Sequence, residues 1–76
     1  MINIKKFLEK FNDEYDFLYK HEDNVAGYRE AVAWFDEFSE KHPDFVRQFA
    51  EYRHDFISSD REAASFAFAM ESFGLI

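Results

Sequence analysis

The chain has 76 residues and a mass of 9.2 kDa, enough for one core and no second one. Nine Lys and Arg face sixteen Asp and Glu, giving a formal charge of −7, and there is no cysteine. These counts exclude a disulfide scaffold, a Cys-ligated zinc site and a thiol enzyme, while the 47 % hydrophobic share is too high for a disordered acidic tail.

The first predicted helix covers residues 3–19, with Asn3 as its N-cap. Ile4, Phe7, Leu8, Phe11, Tyr15 and Leu18 recur at steps of three and four and so share one face. The polar run His21-Glu22-Asp23-Asn24 breaks the pattern. A second helix is expected over residues 25–41, with a start at Gly27 as the variant that places Glu30 in the first turn. Its apolar face is Val25, Tyr28, Ala31, Val32, Phe35 and Phe38.

His42-Pro43 is the clearest punctuation. A residue before proline is pushed out of the helical region, and proline suits the first position of a new helix. The third helix is therefore expected over residues 43–57, with Phe45, Phe49, Tyr52 and Phe56 as its stripe. Ser59 and Glu62 fit a capping box, each side chain bonding the other's backbone N–H, and open a fourth helix over residues 60–73. Ala63, Phe66, Ala67, Met70 and Phe73 should face inward, and Gly74 suits a left-handed C-terminal turn. No segment alternates apolar and polar residues as a strand would. The expected fold is all-α, a compact four-helix domain spanning residues 1–76 with a Phe-rich core. Eleven Phe outnumber the ten Leu, Ile and Val together, and nine of them fall on the predicted core faces.

Chemistry is sparsely represented. The two glycines are isolated, so no Gly-rich loop exists to cradle a phosphate. Ser39 lies near His42 across a helix break, with nothing of a nucleophile elbow around it. Glu51 and His54 form one Glu-x-x-His, whereas a carboxylate-bridged di-metal bundle needs two. The sequence points to no enzyme, no cofactor and no metal.

Interaction is the better-supported expectation. Stepping about 100° per residue, Phe17 and Phe68 fall off the apolar stripes and Trp34 sits at the edge of one. Aromatic residues anchor interfaces because they bury much area with little loss of side-chain entropy. Phe17, Trp34 and Phe68 are thus the candidate interaction residues. A second candidate surface is acidic. Glu30 and Glu37 share a side of the second helix, and Asp44, Glu51 and Asp55 are expected to share a flank of the third, with Arg29, Arg47, Arg53 and Arg61 interrupting. Residues seven apart on a helix are separated by about 10 Å, a spacing that loosely imitates phosphates.

The acidic balance argues against direct nucleic-acid binding and against docking on an anionic membrane. It suits a basic protein partner. The leading expectation is an acidic interaction module, an adaptor or inhibitor occupying a partner's surface. The alternative is a DNA-mimic antagonist of a nucleic-acid-binding protein. With no run apolar and long enough to span a membrane, a cytoplasmic location is the expectation, and size and composition are those common among accessory proteins of phages and mobile elements. Chains below about 80 residues seldom retain more than a few kcal/mol without a staple, which makes a homodimer a further expectation.

Overall fold

In the computed structural model, which describes residues 2–76 apart from the Glu22 side chain, Asn3 caps α1 (Ile4–His21). Its Oδ1 accepts a hydrogen bond from the Lys6 N–H at 3.1 Å. The helix runs two residues past the predicted end, and its last turn carries Lys20 and His21, the charge that suits a helix C-terminus. A single 3-10 turn, Glu22–Asn24, follows. The next helix, α2 (Tyr28–Lys41), starts three residues later than residue 25. Gly27 adopts φ +82° at the N-cap, a left-handed conformation that glycine reaches without a Cβ clash, so Val25 and Ala26 belong to the turn.

Pro43 opens α3 (Pro43–Arg53) as predicted, but α3 stops four residues short of residue 57. His54 takes φ 61° and ψ 32°, its N–H donates to the Glu51 carbonyl, and the Asp55 N–H donates to the Ala50 carbonyl at 3.0 Å. This pair of bonds is a Schellman turn with histidine in the position that glycine usually fills. It corrects two sequence expectations. Phe56 lies in the loop beyond α3 and is 73 % exposed rather than part of the core, and Asp55 is not on the flank of α3.

Ser59 caps α4 (Asp60–Ser72), its Oγ accepting from the Glu62 N–H at 3.1 Å. The reciprocal half of the capping box is displaced by one residue: Glu62 Oε1 accepts from the Ser58 N–H at 3.0 Å. At the other end Gly74 has φ +73°, its N–H donates to the Glu71 carbonyl, and the Leu75 N–H donates to the Met70 carbonyl. Phe73, expected inside, caps the helix at the rim and is 39 % exposed, although its ring still approaches Phe7.

The central element is α4. Residues 63–67 are all buried, which takes the burial around the full circumference of the helix. Ala63, Ala64, Ala67 and Ala69 present so little volume that neighbours can lie close on several sides. The buried Ser65 hydroxyl donates to the Arg61 carbonyl at 2.7 Å and so keeps its hydrogen bond inside the helix. Against one side lies α1, antiparallel: Phe7 meets Phe66 and Phe73 near the C-terminal half of α4, while Leu18 meets Ala64 nearer its start. Against another lies α2, through Phe35 on Phe66 and Ala31 beside Ala64 and Ala67. From α3, Phe45 and Phe49 close over Phe7 and Phe66.

The Phe66 ring joins all four helices. The Phe66 centroid lies 5.0 Å from Phe7 on α1, 5.0 Å from Phe35 on α2 and 5.4 Å from Phe49 on α3. These three contacts are edge-to-face, the arrangement in which ring quadrupoles attract. The Cα radius of gyration is 11.4 Å, about the value that a compact chain of this length should have.

Two stability measurements check this account. Phe66→Ala should cost about 3–5 kcal/mol, close to the whole stability of so small a core, so its thermal melt should lose the cooperative transition near room temperature. His54→Gly should raise stability by about 1 kcal/mol by relieving a non-glycine left-handed residue; a denaturation midpoint that falls instead would show that the His54 side chain contributes more than its backbone conformation costs.

Candidate interaction surface

Two of the three aromatic candidates meet across one groove. Trp34 on α2 and Phe68 on α4 are both half-buried and line a hollow of about 390 Å³ between these helices. The buried Ala31 and Ala67 form its floor. Small residues at the α2–α4 contact therefore leave a channel that larger side chains would have filled. Trp34 stands in place because its ring stacks on Phe38 one turn further along α2, with centroids 4.9 Å apart and planes 21° from parallel. Glu30 and Glu71, both exposed, edge the groove from opposite helices.

Phe17 lies elsewhere. It sits on α1, 51 % exposed, and does not line that groove. Its ring rests on His21 one turn on, at 4.8 Å, whereas Tyr19, 67 % exposed, leaves another side of the helix. Arg61 of α4 extends over the Tyr19 ring at 5.0 Å and the Tyr15 ring at 5.7 Å, a cation–π arrangement that ties this end of α1 to the start of α4.

The acidic candidates are dispersed. Glu30, Glu37 and Glu51 are exposed and, among the described residues, make no ion pair. Asp44 pairs with Arg47 one turn on, at 2.8 Å, and Asp55 pairs with Arg53 at 3.3 Å. The Glu51 and His54 side chains do not leave one helical face as their spacing would require, because His54 has already turned into the left-handed conformation.

Arg53 is the residue whose importance the sequence concealed. It reads there as one more cation interrupting an acidic stripe. In the structure its side chain is 10 % exposed and its guanidinium lies over the Phe11 ring, 4.8 Å from the centroid. It donates to the Phe56 carbonyl at 3.2 Å, to Asp55 and to Glu62, whose side chain is 13 % exposed. Arg53 and Glu62 thus clamp the end of α3, the loop after it and the start of α4 over the α1 aromatics. The one available sequence signal was Glu62 itself, a capping glutamate with a second carboxylate oxygen free to take a partner.

Burial pushes the Glu62 carboxyl up, but the hydrogen bonds from Arg53 and Ser58 and the Arg53 charge outweigh it, leaving the group below its ordinary value of 4.5. A lowered folded-state value means that the stabilisation is complete above the unfolded value and is lost as pH falls through the folded one.

Comparison with family models, curated proteins and solved structures finds no match to this chain. Any functional reading therefore stands on the surface just described.

The Glu62 clamp predicts a pH signature. Glu62→Gln should lower stability at neutral pH by about 1.5–3 kcal/mol, the range for a hydrogen bond to a charged group. The gap between wild type and variant, followed by urea denaturation, should narrow as pH drops below 4.5. A gap that stays constant down to strong acid would remove the ion pair from the account.

Proposed function

We propose that this chain is a small acidic protein-interaction module, an adaptor or inhibitor rather than an enzyme, that acts by occupying a surface of a basic protein partner. The observation that carries this reading is the α2–α4 groove, where Trp34 and Phe68 present apolar area beside Glu30 and Glu71, carboxylates that make no ion pair among the described residues. Aromatic walls supply anchoring area, and flanking charge selects a partner of opposite sign. The half-exposed Phe17 adds a second aromatic position on α1.

The DNA-mimic reading draws less support. Two of its five carboxylates, Asp44 and Asp55, have arginine partners, and Asp55 stands off the helix that was to hold it in register. Imitation of a phosphate row needs unneutralised charge at regular intervals.

Affinity capture from the source organism's lysate, with proteins quantified by mass spectrometry, tests the proposal. The wild-type chain should retain a basic protein that Phe17→Ala, Trp34→Ala or Phe68→Ala loses while circular dichroism shows an intact fold. Identical captured sets for wild type and all three variants would overturn it.

A further inference from the structure

The α2–α4 groove is specific enough in its chemistry to say what kind of segment fits it. Its apolar lining comes from Ala31, Ala67, Trp34, Phe68 and Ile76, and among the described residues no Lys, Arg or His lines it. Such a slot accepts an aliphatic side chain, or the methylene stem of a lysine or arginine whose head remains in water. Glu30 on one helix and Glu71 on the other stand at its edges, and among the described residues neither is engaged in an ion pair. A cation brought to either edge has no internal cation to displace.

The shape narrows the occupant further. A channel between two helices receives a third helix by the same packing that joins the first two, whereas strand addition needs a sheet edge to pair with. The described residues contain no strand. A second copy of the chain is a poor fit, because each would bring a charge of −7 to the same place.

We propose that the α2–α4 groove is a docking site for a basic amphipathic helix of a protein partner, with aliphatic residues between Trp34 and Phe68 and Lys or Arg beside Glu30 and Glu71. This assignment rests on the interaction reading above and adds the location and the form of the partner segment.

Trp34 is the only tryptophan in the chain, so its fluorescence reports directly on the groove. The probe is a synthetic amphipathic helix of about 14 residues built from leucine and lysine, with a leucine–glutamate counterpart as its acidic control. The lysine peptide should shift Trp34 emission saturably, and the glutamate peptide should not. Glu30→Lys/Glu71→Lys should weaken the lysine peptide about tenfold or more, while Glu9→Lys/Asp13→Lys, an equal charge change on α1, should weaken it about threefold or less. All four positions are exposed, and circular dichroism verifies that each variant keeps its helices.

Equal weakening by the two double variants would reduce the binding to general charge attraction and overturn the site. So would equal binding of the acidic peptide, or a doubled mass by light scattering with Trp34 emission changing on self-dilution alone, which would make the occupant a second copy. The two proposals separate cleanly. A lysate protein lost with Phe17→Ala yet retained by Glu30→Lys/Glu71→Lys leaves the interaction reading standing and removes this groove from it.

Discussion

The burial of Phe66 is the constraint on which the rest of the structure depends. Its ring takes edge-to-face contacts from α1, α2 and α3. A chain this short cannot build separate interfaces for each helix pair, because too little apolar area is available. Converging three helices on one large side chain solves that shortage. The arrangement works only if the helix carrying Phe66 is otherwise thin, and α4 supplies four alanines for that purpose. Large rings around a slender helix are two halves of one packing solution.

The surface follows from the same choice. Where α2 and α4 meet through alanines beyond the reach of Phe66, the gap between them is edged by Trp34 and Phe68 and remains open. The groove is therefore the far end of the core's own packing scheme. Polar clamping is concentrated at the opposite connection, where Arg53 and Glu62 join α3, the following loop and α4. With the ion pair partly shielded and the guanidinium lying over Phe11, this contact holds a loop that has few apolar anchors of its own.

Most of the fold was legible in the chain. Asn3, His42-Pro43, Ser59 and Gly74 act locally, each satisfying or terminating backbone hydrogen bonds within a few residues, so their effects could be read without knowing any neighbour. The stripes of Phe7, Phe11, Phe35, Phe49 and Phe66 were legible for a similar reason, since a helical period maps them to one face. Phe56 and Phe73 escaped the same logic. The α3 stripe assumed that the helix continued, and the turn at His54 ended it first; Phe73 stands at the C-cap of α4, where its neighbours cover it only in part. Of the candidate surface, the off-stripe positions of Phe17, Trp34 and Phe68 were visible, but not that two of them share a groove while the third stands apart.

What the sequence by itself determined is the number of helices, most of their boundaries and the aromatic character of the core, because caps, breaks and periodicity are properties of neighbours along the chain. Only the tertiary structure decided that α4 is enclosed on several sides, that Arg53 is drawn inward to Glu62, and that Trp34 and Phe68 line one groove with alanines. Those outcomes depend on which helix faces meet and at what separation. Side-chain volumes on different helices set that jointly, and no single segment contains the information.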